Sequence, residues 1–501
     1  MTDALLGIDV GTTSVKAVLF DFDGRELARA SSQPYRNYTP APGWVEQDPE
    51  EIWNSQLTSI RGALSQAGGV KVKALSMAVQ SGSLIPADSA GRPVYRMVTW
   101  LDGRAEEVVQ EWKAAGHQAW VKPLSGWSLY PSLCLPTIAW FKKNNPQVFS
   151  AAKIFFSLND FLVFRLTGKM VTNPSNAGGM QLVEIQSGRW SGGLCKLAGI
   201  SGENLSEIQP TGAALGEVLP QVCREIGLTP GAILVNGGHD QGCTALGLGI
   251  IEPGKILLAC GTAWVFTGVL TSPDMNRLPP TLDLNFHAAP ERWTLSQSLG
   301  GLGASFEWWM NKAFRDCEAS RSKMFAALNE EILQTKLDGG LFFLPLTGGH
   351  DDPATTRRGG FLGLQLAHSR ADMARAIMES AAFELRWALE PVLSANIPVE
   401  KLWMVGGAAQ SPLWPSILAD ATGVPICLPG YDTWPALGAA VLAGYGTGAF
   451  ASLEEGLRKF QKPLKEIRPQ PNMAEAYQNA FQGYRRSLQY RDAERLDSKA
   501  S

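Results

Sequence analysis

The hydrophobic pattern of this chain is a series of short apolar runs, each stopped by glycine, threonine, aspartate or proline. Leu5 to Ile8 is the first. It ends at Asp9, Gly11-Thr12-Thr13 turns the backbone, and a β-rich run from Val15 to Phe20 leads to the hairpin signal Asp23-Gly24. This predicts two antiparallel strands joined by a tight Gly/Thr turn. Half a chain later, Lys255 to Val269 (KILLACGTAWVFTGV) repeats the plan, with Gly261-Thr262 at its turn. Further strands are predicted at Val72 to Val79, Ala232 to Asn236, Leu341 to Leu346 and Lys401 to Val405.

Helices follow from capping and spacing. Asp48-Pro49-Glu50-Glu51 has an N-cap, a proline at the first helical position and acids in the first turn, and Ile52, Trp53, Leu57, Ile60 and Leu64 supply the apolar face. Small residues mark helices at Gly242 to Leu248 and Pro435 to Gly446. Ser411 to Thr422 is another, and Met373, Ile377, Ala381 and Leu385 keep core spacing. Ser296 to Trp309 is expected as a glycine-rich segment before an aromatic helix. The polar tail after Leu464 is expected to be a helical surface element.

Composition narrows the class. A chain of 501 residues exceeds what one core usually serves, and Ile250-Ile251-Glu252-Pro253-Gly254 is the expected boundary, giving domains 1–250 and 251–501. A hydrophobic share of 45% with 18% charged residues is that of a globular protein, and a net charge of −3 offers no basic field for nucleic acid or membrane. Seven scattered cysteines form no C-x-x-C pair, which argues against a disulfide framework or a zinc site. No signal peptide is evident, and no apolar stretch approaches the ~18 residues of a membrane span, so the cytoplasm is the expected location.

Three features carry chemistry. The Gly11-Thr12-Thr13 turn presents amide and hydroxyl donors to an anion such as a nucleotide phosphate, and Asp9 beside it suits hydrated Mg²⁺. The alternative is an ordinary hairpin whose Asp and Thr satisfy local backbone groups. Asp240 follows Gly237-Gly238-His239 at a strand-to-helix turn, where it either points into a cleft or caps the helix; His239 is a chemically competent base as well. Gly406-Gly407 after a strand lets a flat ligand approach the backbone. Lys16 either adds charge near the turn or is a solvated strand side chain.

The twin strand–turn–strand units resemble the actin-like (ribonuclease-H-like) ATPases. Gly43 to Trp53 (GWVEQDPEEIW), then Gln80, Asp88, Gly91 and Trp100-x-Asp102-x-Arg104, resemble the first domain of the FGGY carbohydrate kinases, most closely the xylulose-kinase branch. Arg358 to Glu379 fits that family's second signature at Gly359, Phe361, Gly363, Leu364, Asp372, Met373, Ala376, Ile377, Met378 and Glu379. Tyr130 to Trp140 fits the first signature only in part, with Pro136 where lysine is usual. Leu158-Asn159-Asp160 with Phe161 to Gly168 resembles the family's helix with a Thr-Gly end, Asp160 being a candidate N-cap. The likeness runs from Ile8 to Gly446.

The resemblance implies an α/β fold of two ribonuclease-H-like domains around a central cleft. It implies ATP-dependent phosphorylation of a primary hydroxyl on a small sugar or polyol, a ketopentose such as xylulose first. Asp240 is then the catalytic base. Gln80, Ser81, Gly82, Trp100, Asp102, Arg104, Asp240 and Gln241 approach the acceptor, although Asp102 alternatively caps a helix from Gly103 to Lys113. Gly11, Thr12, Thr13, Lys16, Gly261, Thr262, Gly303, Gly406, Gly407 and Ala408 line the nucleotide, and Asp9 holds Mg²⁺. Ser81-Gly82-Ser83 stands where xylulose kinases usually carry Met-His-Gly, which leaves erythritol, ribulose, glycerol or gluconate as other acceptors. A catalytically inactive sugar-binding homologue is the reading from a different class. Related kinases are often dimers, so a homodimer is one expectation.

Overall fold

The structure, a computed structural model, describes residues 2–313, 321–351 and 359–497. Arg358, the first residue of the second signature, lies outside the described residues. The first half builds a six-stranded sheet. β1 (Thr2–Val10), β2 (Val15–Phe20) and β3 (Glu26–Ser31) form the antiparallel meander that the apolar runs predict. β4 (Val70–Val79) joins β1 in parallel, β5 (Ala214–Glu217) is an antiparallel edge, and β6 (Ile233–His239) lies parallel to β4, giving the order β5-β6-β4-β1-β2-β3.

The second half repeats this winding. β7 (Gly254–Cys260), β8 (Trp264–Leu270), β9 (Asp283–Phe286), β10 (Trp293–Gly300), β11 (Val399–Val405), β12 (Ile426–Pro429) and β13 (Leu464–Ile467) are ordered β9-β10-β8-β7-β11-β12-β13. β7 is antiparallel to β8 and parallel to β11, as β1 is to β2 and β4. The fold is thus the expected α/β pair of similarly wound lobes.

Side-chain alternation assigns the two faces of the first sheet. Ala4, Leu6, Ile8 and Val10 enter one core with Ile52, Trp53, Leu57 and Ile60 of α1 (Pro49–Ala67), which Asp48 caps by accepting from the Glu50 N–H. Leu5 enters the opposite core, covered by α2 (Asp240–Gly247) and by α4 (Trp434–Gly446), the helix that follows α3 (Arg370–Ser394) and the strands β11 and β12. Gly7 and Asp9 share the face of Leu5. Although α4 lies late in the sequence, it sits on the bare backbone of β1: a Cβ at Gly7 would fall 1.8 Å from the Ala436 carbonyl oxygen, and one at Gly438 would fall 2.0 Å from that of Cys243.

Several boundaries differ from the sequence reading. The helix after Asp102 starts at Glu106 with Ala105 at its N-cap, so Asp102 does not cap it. Asp160 is the third helical residue, not the cap: Ser157 caps, and the two side chains form a reciprocal capping box, while Gly168 ends the helix left-handed at φ 75°. Ser296 to Gly300 is the end of a strand. The tail is more than a surface element, because β13 pairs with β12 and the helix α5 (Ala474–Asp497) buries Tyr477, Phe481, Tyr484 and Leu488 in the second core. Polar residues between those positions, Gln478, Asn479, Gln482, Arg485 and Arg486 among them, hide the stripe from a composition-based reading.

The close seat of α4 gives a stability test. Gly438→Val should destabilise the protein by about 1–3 kcal/mol or more, because the collision is with backbone that cannot turn aside. Gly192→Ala, with open space around the added Cβ, should stay within about 0.5 kcal/mol of wild type. Thermal unfolding of both variants checks this, and equal midpoints would contradict the packing.

Candidate active site

Three neighbouring parallel strands end together. β1 finishes at Asp9-Val10, β4 at Val79 with Gln80 next, and β6 at His239 with Asp240 next. Val79 pairs with Val10 on one side and His239 on the other, and the Gln80 N–H donates to the Val10 carbonyl at 2.9 Å. With strands ~4.8 Å apart, these ends converge within ~10 Å. The carboxyl ends of parallel strands are where α/β sheets place ligands.

Asp9 and Asp240 stand close enough for each carboxylate's charge to reach the other. Burial pushes the Asp9 carboxyl up to about 7, the negative charge of Asp240 adds to the rise, and Lys16, its cross-strand partner, opposes it. The Tyr35 hydroxyl is likewise raised by burial and then by both aspartates. Asp240 is the first residue of α2, where the helix N-terminus favours a carboxylate. Its Oδ1 accepts from the Gln241 N–H at 2.6 Å and lies 3.0 Å from His239 Nε2. The corner is fixed from behind. His239 N–H donates to Ser175 Oγ at 2.9 Å, Ser175 Oγ donates to Asn173 Oδ1 at 2.8 Å, and a Cβ at Gly237 would fall 1.8 Å from the Met77 carbonyl oxygen.

The first turn is braced by Tyr35 and Gln47, which sequence reasoning did not single out, and by Trp100, which it placed at the acceptor. Tyr35 holds it twice, its N–H donating to the Thr13 carbonyl at 2.9 Å and its hydroxyl to the Gly11 carbonyl. Gln47 Nε2 donates to the Thr12 carbonyl at 2.8 Å and to Asn37 Oδ1 at 2.7 Å. Trp100 Nε1 donates to Thr12 Oγ1 at 3.1 Å. Gln47 lies inside the GWVEQ stretch and Tyr35 in the loop before it, but only the closed tertiary structure brings them onto the turn.

In the second lobe the exposed Gly261-Thr262 turn links β7 and β8. Gly303 supports it from beneath: a Cβ there would fall 2.0 Å from the Gly261 carbonyl oxygen, and the Ala304 N–H donates to the Thr262 carbonyl at 3.0 Å. Gly406, at φ 97°, passes so close to Cys260 that a Cβ would fall 2.6 Å from its carbonyl oxygen. Gly406 and Gly407 are exposed, and Ala408 is buried behind them.

Of the residues expected at the acceptor, Gln80 is 2% exposed, yet neither its amide oxygen nor its nitrogen has a partner among the described residues, and the buried Ser81 Oγ has none either. Unpaired buried polar atoms are uncommon and unfavourable, and a hydroxyl-bearing ligand or water would satisfy them. Gly82, at φ 78°, passes Trp100, which is 39% exposed. Gln241 is half-buried. Asp102 and Arg104 lie elsewhere than expected. Their side chains are 1% and 0% exposed, Arg104 pairs with Asp102 and Glu46 at 2.8 Å each, and Asp102 Oδ2 accepts from the Val45 N–H at 2.6 Å. Sealed in this cluster, they hold the segment of Trp100 and do not face an acceptor. Lys16, half-buried, stands across from Asp9.

Comparison with known proteins identifies the family. The model of the N-terminal domain of the FGGY family of carbohydrate kinases matches residues 4–247, and that of the C-terminal domain matches residues 257–447. The protein is therefore a carbohydrate kinase. The chain belongs to the FGGY family. It is 27% identical to an autoinducer-2 kinase of Yersinia enterocolitica, across 95% of this chain and 93% of the relative, and 27% identical to a xylulose kinase of Bacillus subtilis, across 96% of each. A gluconate kinase from Lactobacillus acidophilus has the same fold, with a TM-score of 0.89 and 25% identity over 98% of each chain. Among the described residues no helix is long and apolar enough to cross a membrane. The six described cysteines are free and buried.

The raised Asp9 carboxyl predicts a pH signature. Folding favours its neutral form, so its contribution to stability is fully present below the unfolded value of 3.8 and is lost as pH rises through about 7. Asp9→Asn should therefore raise the thermal midpoint of the ligand-free protein at pH 8 by on the order of a few degrees, and by less at pH 5. A midpoint unchanged or lowered at pH 8 would show that Asp9 bears no such strain.

Proposed function

We propose that the chain phosphorylates a primary hydroxyl of a small sugar or polyol with ATP as donor, a ketopentose such as xylulose being the foremost acceptor. The observation that carries this reading is the convergence of Asp9, Gln80 and Asp240 at the ends of three adjacent strands. The donor set fits hydrated Mg²⁺: a raised carboxyl without a neighbouring cation other than Lys16 gains from a metal, and Mg²⁺ is usually held by one or two carboxylates with the remaining positions filled by water. When bound, the ion neutralises charge on the β- and γ-phosphates. Asp9 holds it, directly or through water.

Gly11, Thr12 and Thr13 donate to the phosphates from the first lobe, and Gly261 and Thr262 do so from the second. Gly406, Gly407 and Ala408 form a flat seat for adenosine. Asp240 accepts the proton of the acceptor hydroxyl as its oxygen attacks. Gln80 and Ser81 supply the unpaired groups that fix the acceptor's other hydroxyls, and Trp100 offers a ring face. A site built to pair with one hydroxyl discriminates on that hydroxyl, so Ser81-Gly82-Ser83 bears on which sugar is taken. Closure of the lobes would exclude water as a competing acceptor.

A coupled ADP-release screen over three- to seven-carbon polyols, ketoses and aldonates tests the reading. Asp240→Asn should lower turnover on the best acceptor by ~10² or more while nucleotide binding is kept. Sugar-induced thermal stabilisation without ADP release from any acceptor would favour an inactive sugar-binding homologue.

A further inference from the structure

Thr12 is gripped at two atoms by two segments far from it in sequence. Gln47 Nε2 donates to its carbonyl and Trp100 Nε1 to its hydroxyl oxygen. Those two segments are riveted to each other. The Thr99 N–H donates to the Val45 carbonyl at 3.1 Å, Thr99 Oγ1 donates to the same carbonyl at 3.0 Å, and Glu46, Asp102 and Arg104 form a buried ion cluster with the Arg104 guanidinium 4.2 Å from the Trp44 ring centre. The Trp100 N–H is in turn accepted by Ser83 Oγ at 3.3 Å, next to Ser81 and Gly82. One aromatic residue thus touches the acceptor strand end and the first phosphate turn together.

We propose that Trp100 is a positioning residue that couples the acceptor pocket to the first phosphate turn through its indole N–H. A threonine hydroxyl has one proton to donate and two lone pairs to accept with. With one lone pair taken by the indole, the side chain is fixed and the Thr12 O–H is left to donate away from Trp100, toward an anion in the turn. The exposed ring face remains available to the carbon skeleton of a polyol. An acceptor lying on that face stiffens the ring and, with it, the donor that meets the phosphate. This rests on the kinase reading above and adds to it a physical link between its two substrates.

The link is tested by calorimetric binding of the magnesium complex of β,γ-imido-ATP to wild type, Trp100→Phe, Thr12→Val and the double variant. Phenylalanine keeps a ring and loses the N–H. Each single variant should bind the nucleotide about threefold to tenfold more weakly, the range expected for one hydrogen bond. The double variant should be no weaker than Thr12→Val, because both changes remove one interaction. Thr12→Ser, which keeps the hydroxyl, should restore binding to within about twofold of wild type. In ¹⁵N-labelled protein, the indole resonance lost in Trp100→Phe should shift in Thr12→Val, with unchanged thermal midpoints excluding misfolding. Wild-type affinity in Trp100→Phe, or losses that multiply in the double variant, would overturn the proposal. A wild type that binds the nucleotide but phosphorylates no acceptor would count against the proposed function and leave this cycle readable.

Discussion

Two carboxylates that repel each other are held at the ends of the two strands that flank β4, and much of the first lobe is built to keep them there. Asp9 reaches its place because β1 pairs in fixed register with β2 and β4. A slip of one residue would turn its side chain to the opposite face and send Ile8 or Val10 into the site. Asp240 reaches its place because β6 hands over to α2 at a corner made of glycines. Lys16 opposes the repulsion only in part, and the Asp9 carboxyl is raised by burial first and by the charge of Asp240 second.

The buried Glu46–Asp102–Arg104 cluster serves a neighbouring purpose. Removing charged groups from water offsets most of their attraction, so such a cluster is weak evidence for stability. Its geometry is specific, however. It locks the GWVEQ segment to the WLDGR segment, and both then present a side chain, Gln47 and Trp100, to the same threonine. Tyr35 completes the brace from a third direction. A turn held by so many external partners has little conformational freedom left.

The lobes share more than a cleft. α4 crosses from the second half onto β1, and Asp283 on the edge strand β9 accepts from the Ser128 N–H at 2.9 Å and the Tyr130 hydroxyl at 2.9 Å. The Leu284 N–H adds a bond of 2.8 Å to the Gly126 carbonyl, and Asn285 Nδ2 donates to the Ser175 carbonyl at 3.0 Å, directly behind the Asp240 corner. These contacts tie the two halves together beside the Asp240 corner.

The sequence by itself determined the strand–turn–strand units and the family. Those are local: a glycine turn, an alternating run and a capped helix are written in adjacent residues. It did not show that Asp102 and Arg104 turn inward, since a charged side chain in sequence carries no mark of its burial. Nor did it reveal the aromatic stripe of α5, masked by the polar residues between Tyr477 and Leu488. What tertiary structure alone decided was which distant residues meet: Tyr35, Gln47 and Trp100 on one turn, Ser175 behind Asp240, and α4 on Gly7. Such meetings depend on sheet order and strand register, which are set by the packing of the whole chain and by no segment of it.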